Sequence, residues 1–452
     1  MKMRNSFNNT HNPVLPLEYH VPDSEAHVMS DGILYIYGSY DTKEDVYCSE
    51  EYHVVSTADM ENWEIHETAL RGEEIPWFGN PDAPKYPGID WTHPTPFIQK
   101  MIQRDIERGV DMKAMFEAEK NKPKPPLLFA PDCIEKDGKY YLYFCMSDDS
   151  EGVAVSDSPI GPFENPTQLP CGGIDPAVFI DEDGQAYYYW GQLFSHGVKL
   201  NEDMISFCPE DIVDNLVTEE EHFFHEGSSM RKIGDTYYYV YADMERGKPT
   251  ALGYSTSTSP MGPFVYRGII IDNDGCDPES WNNHGSIECV NGQWYVFYHR
   301  CSRGVQQHRR LCVEPITILE DGSIPEVKMT SQGPGKPFGI GEHIMGYQAC
   351  GVTGKCFMGL DGQGSEWLTN IESGDTAVFR YIESDEGFRG IVIEGAGEGT
   401  IHIFLNDQIA VTVVMKDGTA KADWNDPMCG NYEVKLKFEK TSNLSVRTLT
   451  FV

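Results

Sequence analysis

Five ionisable side chains stand at one phase of a repeating pattern, and their types are those of acid–base chemistry. Each precedes a glycine turn: Asp23 by nine residues, Asp132 by six, Asp175 by nine, Glu226 by eight and His284 by eight, the glycines being 32, 138, 184, 234 and 292. Taken singly, an aspartate beside proline serves a turn, its side chain bonding to nearby backbone. Recurrence at one phase argues for a shared site, because carboxylates gathered at one place repel and desolvate one another, an arrangement usually kept for chemistry. The reaction that needs such a set among aromatic walls is hydrolysis of a glycosidic bond. One carboxylic acid protonates the leaving oxygen and another carboxylate activates water or attacks carbon. A third carboxylate beside the acid keeps it protonated at neutral pH.

The elements that would position these residues are hairpins. Asp-Gly or Asn-Gly turns followed by aromatic strands recur: DGILYIYGS, DGKYYLYFCMS, DGQAYYYWGQ, GDTYYYVYAD and NGQWYVFYHR. Such turns are the strongest short-range hairpin signal. The glycine spacings are 106, 46, 50 and 58, and the last three suit four-stranded propeller blades. A second repeat, SDSPIGPF at 156 to 163 and STSPMGPF at 257 to 264, supports them. The pattern predicts an all-β protein, with a five-bladed propeller in residues 1–335 followed by a β-sandwich in 342–452. The long first spacing holds an inserted segment, about 98–122, whose Ile98, Met101, Ile102, Ile106 and Val110 follow helical periodicity. Residues 332 to 341, QGPGKPFGIG, read as a linker.

Composition narrows the function. Acids outnumber bases 71 to 35, a formal charge of −36. That excludes a nucleic-acid binder held by phosphate contacts and argues against an anionic membrane surface. Aromatics are 12 % of the chain, with 24 tyrosines and 8 tryptophans, residues that suit both sheets and sugar faces. The 12 cysteines include no C-x-x-C pair and read as reduced core thiols. With no apolar leader after Lys2 and Arg4, the expectation is a cytoplasmic protein, or a secreted one if a leader has been trimmed.

Over about residues 12 to 335 the chain resembles glycoside hydrolase family 43. The motifs are NPVLP, DSEAHV, YIYGSYD, FAPDCIEKDGKYYLYF, IDPAVFIDEDGQAYYYWG, HEGSSMRKIGDTYYYVYA and NNHGSIECVNGQWYVFYHR, in order. The resemblance implies an inverting enzyme on a five-bladed propeller. It matches Asp23 to the general base, Glu226 to the general acid, and Asp132 to the third carboxylate that raises the acid's pKa. One departure stands out: Ser24 follows Asp23 where the family commonly has proline, making Glu25 a competitor. His27, Asp41, Asp175 and Arg309 are matched to substrate-binding positions, with Arg310 the rival of Arg309. Trp77, Phe78 and Trp91 are candidate pocket walls, Trp91 foremost. His284 matches a channel histidine that in some members touches a metal, often calcium; no cofactor is otherwise required. The C-terminal part resembles a family 6-type carbohydrate-binding module, through GDTAVFRY and GTIHIFLND.

The expected activity is exo-acting removal of terminal α-L-arabinofuranosyl or β-D-xylosyl units from plant-type oligosaccharides, with galactofuranosidase and endo-arabinanase as alternatives. A non-catalytic sugar-binding propeller is the rival from another class. A phosphorylase would need several bases at the channel mouth, where Arg309 and Arg310 are the candidates.

Overall fold

In the computed structural model, the described residues are 5–416 and 418–452, apart from 87, 89–95, 108, 110 and 112–124. Trp91 and most of the inserted segment after residue 107 therefore lie outside the described residues.

Five antiparallel sheets follow one another along the chain. The first comprises Glu25–Val28, Leu34–Tyr37, Glu51–Thr57 and Asn62–Arg71, with Asn5–Asn8 added to its outer edge. The second runs from Asp132–Lys136 to Glu164–Gly172, the third from Ala177–Ile180 to Val213–Thr218, and the fourth from Phe224–Ile233 to Val265–Asp272. The fifth has three strands, Ser286–Val290, Gln293–Ser302 and Val305–Ile316. The ring closes where residues 12 to 14 run beside that last strand. Val14 N–H donates to Leu311 O at 3.1 Å, and the Asn12 amide reaches Val313 O at 3.0 Å and Glu314 Oε1 at 2.9 Å.

Every blade is packed on both faces, which explains the unbroken aromatic runs. In Ala186–Trp190, Tyr188 and Trp190 enter the core shared with the second blade, whereas Tyr187 and Tyr189 enter the core shared with the fourth. Strands buried on both faces carry no polar alternation. The turn glycines do what the sequence asks of them. Asp137-Gly138 and Asn291-Gly292 have φ of +53°, +74°, +51° and +85°, the left-handed pairs that two-residue hairpin turns require. Gly161 and Gly262, in the second repeat, have matching φ of +72° and +78°.

The inserted segment supplies a helix, Pro96–Glu107, between the first two blades. One described tie runs from it, Lys100 Nζ to Glu220 Oε1 at 3.1 Å, beside the short helix Glu219–His222.

Beyond the propeller, strands from His343–Met345 to Thr419–Phe451 form one seven-stranded sheet folded around its own apolar core, a nearly closed β-sandwich. Residues 332 to 341 do not behave as a free linker. Gln332 N–H donates to Arg380 O at 2.7 Å and Phe338 N–H to Tyr381 O at 2.9 Å, and buried Phe338 stacks on His11 at 3.9 Å. Its glycines and prolines shape a seam between two packed bodies. All twelve cysteines are free thiols, nine of them buried. No described helix is long and apolar enough to cross a membrane.

Candidate active site

The innermost strand of each blade begins at the same end of the channel, and the residues just upstream of these strands meet there. Asp23, Asp175 and His284 each lie two positions before their strands, Glu25–Val28, Ala177–Ile180 and Ser286–Val290. Glu226 stands near the start of Phe224–Ile233. These four line one pocket of about 320 Å³, together with Tyr47, Cys48, Phe129, Gln192, His225, Trp281, Gln306 and Arg309. Asp23 and Asp175 share the same unusual backbone, φ +56°, a left-handed conformation costing a non-glycine residue on the order of 1 kcal/mol. Blades one and three thus turn their aspartates into the pocket by the same local device.

The carboxylates sit in different surroundings. Asp23 Oδ1 accepts from Arg309 Nη1 at 2.7 Å, with His299 Nδ1 at 3.5 Å and His284 Nδ1 at 3.8 Å. Burial alone would raise its pKa, but the Arg309 guanidinium, the largest opposing influence, helps hold it below the usual carboxylate range. Asp41 fixes Arg309 in turn, accepting from its Nε and Nη2 at 2.9 Å each and from its backbone N–H at 3.1 Å. The Tyr47 ring lies 4.9 Å from the guanidinium, and Tyr47 Oη donates to Gln306 Oε1 at 3.1 Å.

Across the pocket, Glu226 Oε2 accepts from Gln192 Nε2 at 2.8 Å, and His225 Nε2 is 4.0 Å away. Burial works against a charged His225, yet Glu219 and Glu226 raise its pKa above the ordinary value. Asp175 receives the Gly227 N–H; burial, then the charges of Glu226 and Asp23, push its pKa well above normal. Asp175, facing Glu226, therefore retains a proton where an isolated carboxyl has lost it. His284 and His299 are kept neutral by burial, His299 being pushed down to about 3.

Asp132 does not reach this pocket. It is the first residue of Asp132–Lys136, and the position matching Asp23 and Asp175 in the second blade is Ala130, which does line the pocket. Two residues of strand put Asp132 roughly 6–7 Å deeper. There its carboxylate is saturated, accepting from His27 Nε2 at 2.7 Å, Cys133 N–H at 2.6 Å and Val178 N–H at 2.7 Å. His27 goes with it, away from the pocket. Glu25, the competitor of Asp23, is also in this deeper layer, paired with Arg231 Nη2 at 3.1 Å. Arg310 turns to the opposite face of its strand from Arg309 and binds Glu366. Trp77 is buried in the core between the first two blades, its indole N–H on Ser150 Oγ at 3.0 Å, and Phe78 packs against the same core.

The aromatic walls come instead from Tyr47, Phe129 and Trp281, the last 49 % exposed at the rim. These, with Gln192, His225 and Gln306, escaped the sequence reading. A signal existed for two of them: Gln192 ends the aromatic strand of blade three at the pocket's end of the channel, and Trp281 stands three residues before His284.

The expected calcium position fits poorly. Calcium takes about six to eight oxygen ligands, whereas His284 offers nitrogen, and Asp23 Oδ1 beside it is already held by Arg309. Among the described residues, the ligand atoms that converge within 4.8 Å belong to Glu25, His27 and Asp132. In that layer Arg231, bonded also to Glu288 Oε2 at 3.2 Å, supplies positive charge.

A channel-mouth pocket with an ionised aspartate on one side and a proton-holding aspartate facing a glutamate on the other defines a glycosidase-type propeller. The comparisons with known proteins agree. Residues 104–324 match the model of glycosyl hydrolases family 43. A xylosidase/arabinosidase of Thermoclostridium stercorarium is 30% identical over 455 residues, covering 85% of each chain. An arabinoxylan arabinofuranohydrolase of Bacillus subtilis (strain 168) is 28% identical over 374 residues, 71% of this chain and 65% of that one. Among solved structures, a GH43 β-xylosidase/α-arabinofuranosidase from a compost microbial metagenome, in complex with xylotriose and in calcium-free form, superposes with TM-score 0.54 at 28% identity, over 72% of this chain and 98% of that one. A Bacillus subtilis arabinoxylan arabinofuranohydrolase structure shares the fold over 98% of this chain and 97% of its own, with TM-score 0.52 at 22% identity. The chain belongs to glycosyl hydrolase family 43 and is a glycoside hydrolase.

Proposed function

We propose that the enzyme removes terminal α-L-arabinofuranosyl or β-D-xylosyl units from oligosaccharides, with inversion at the anomeric carbon. The observation that carries this reading is the convergence of Asp23, Asp175 and Glu226 on one small pocket. About 320 Å³ lies at the low end for a ligand site, which suits one terminal sugar. The names of the relatives, xylosidase/arabinosidase and arabinoxylan arabinofuranohydrolase, support pentosyl substrates.

Asp23, kept ionised by Arg309, takes the proton of the attacking water. Glu226, steadied by Gln192, gives a proton to the leaving oxygen. Asp175 takes the part expected of Asp132, because it is the third carboxyl that shares the pocket with Glu226 and Asp23. Arg309, His284 and Asn282 border the sugar. Asp132 and His27 brace the channel beneath.

The test is a panel of nitrophenyl glycosides: α-L-arabinofuranoside, β-D-xyloside, β-D-galactofuranoside and α-L-arabinopyranoside. Turnover of the first or second, lost in Asp23→Asn, with early NMR spectra showing the inverted anomer, is the expected result. Retention, or turnover of the galactofuranoside alone, would overturn the assignment.

A further inference from the structure

The strand Val305–Ile316 serves two parts of the molecule at once. Arg309 points to the pocket, and successive side chains of a strand face opposite ways, so Arg310 points outward. Arg310 is buried, and its Nη2 donates to Leu17 O at 3.1 Å and to Glu366 Oε1. Glu366 is fully buried and belongs to Glu366–Thr369 of the C-terminal sheet. The same oxygen accepts from Arg303 Nε at 2.8 Å. Arg303 sits in the turn that leads into the strand; its backbone N–H donates to Met358 O at 2.8 Å, and the next residue, Gly304, lies against the Phe357 ring.

The hairpin carrying Gln306 and Arg309 into the pocket is thus fastened at its tip and on its outer face by residues 357, 358 and 366, all of the C-terminal sheet. We infer that Glu366 is a positioning residue for Arg309, so that the C-terminal sandwich is a working part of the catalytic apparatus and not a detachable sugar-binding module. This rests on Asp23 being the base.

The physical reason is charge. Arg303 and Arg310 share Glu366 as their described carboxylate partner, Arg303 being 17% exposed and Arg310 3%. Without Glu366, burial and the neighbouring Arg303 both oppose the charge on Arg310. A buried cation left without its partner forces rearrangement, and Arg310 lies in the hairpin strand itself. Arg309 is the next residue, and its bonds to Asp23 and Asp41 need alignment at 2.7 and 2.9 Å. Loss of that alignment removes the main influence holding Asp23 ionised.

The experiment compares full-length wild type, Glu366→Ala, Glu366→Asp and Asp23→Asn. kcat/KM is followed against pH on the best nitrophenyl glycoside, well below each variant's melting temperature. Glu366→Ala should lose about tenfold or more in kcat/KM through misalignment. Its acidic limb should move up by about one pH unit as the base loses its cationic partner. Glu366→Asp should restore part of both. A well-folded Glu366→Ala with a lowered melting temperature but the wild-type acidic limb would overturn the inference. Should Glu366→Ala not fold, the double variant Glu366→Gln, Arg310→Met removes the tie while leaving half-buried Arg303 free to reach water. A wild-type limb there would overturn it equally. Activity surviving in Asp23→Asn would instead remove the base assignment beneath it.

Discussion

Two layers of the channel hold similar residues in different surroundings. The mouth has Asp23, Asp175, Glu226, Arg309 and His284; the layer beneath has Glu25, Asp132, Glu288, Arg231 and His27. Each contains three carboxylates and one guanidinium, with His284 and His225 at the mouth and His27 beneath. In the deeper layer the charges alternate and Asp132 accepts three hydrogen bonds. At the mouth the arginine serves one side, so Asp23 is kept ionised while Asp175 across the pocket keeps a proton. Residue type does not separate a brace from a reaction centre. The distribution of partners does, with the presence of open space.

The largest test of that contrast exchanges amides for acids in both layers. Glu226→Gln removes the proton donor while keeping its shape, and its kcat should fall about a thousandfold, within the range that general acid catalysis supplies. Asp132→Asn should keep kcat within about tenfold of wild type when measured well below its melting temperature. Its cost belongs to stability: replacing a buried acceptor of three bonds loses about 2–4 kcal/mol, visible as a fall of several degrees in melting temperature. The contrast breaks if Asp132→Asn is stable and inactive.

A smaller effect separates Asp175 from Asp132. Asp175→Asn takes away the carboxyl that faces Glu226 and holds a proton at the mouth. The basic limb of kcat/KM against pH should then move to lower pH, with kcat down roughly ten- to a hundredfold at neutrality. Asp132→Asn should leave that limb in place. Movement of the limb in Asp132→Asn alone would return the third-carboxylate role to Asp132.

The legible and illegible parts of this molecule differ for physical reasons. The blades were legible because hairpin turns need φ above zero, and Gly32, Gly138, Gly184, Gly234 and Gly292 all show it. The mouth residues Asp23, Asp175, Glu226 and His284 were legible because each lies eight or nine residues before its glycine. Asp132, at six, belonged to the same pattern only loosely. In a strand a difference of two or three residues is a distance, roughly 7–10 Å, and it put Asp132 in another layer. Arg309 and Arg310 could not be separated by spacing, since which one faces the pocket depends on strand register. Tyr47, Gln306 and Trp281 come from loops and strand ends that the repeat does not index. Glu366 comes from a different sheet altogether.

Trp281 sharpens the mouth's own division of labour. Its indole is 49 % exposed, yet its loop is fixed. Asn282 O accepts from Asn273 Nδ2 at 2.9 Å and lies 3.1 Å from His299 Nε2, while Asn283 N–H donates to Pro249 O at 2.7 Å. A rigid apolar ring at the rim suits the sugar on the leaving side. Trp281→Ala should raise KM for a pentosyl oligosaccharide about tenfold, equivalent to about 1.4 kcal/mol, with kcat nearly unchanged. Inhibition by the free monosaccharide should not move; an equal loss there would place Trp281 against the terminal sugar instead.

The smallest effect lies in the deeper layer and is read in stability. Burial, with Asp132 adding to it and Arg231 opposing, raises the Glu25 pKa to about 7. The folded protein therefore holds a proton that the unfolded chain has released above its ordinary carboxyl range. The stabilisation from that proton is complete below the unfolded value and is lost as pH rises through about 7. Glu151, Glu314 and Asp243 are buried carboxyls raised to about 8, 7 and 7 and give the same trend, so the slope of one curve says little. The difference between two curves does. Between pH 5 and 8, the melting temperature of Glu25→Gln should fall less steeply than that of wild type, while the pH limbs of kcat/KM stay where they were. Parallel melting curves would mean that Glu25 stays ionised beside Arg231, and a shift in the activity limbs would mean that the two layers share their protons after all.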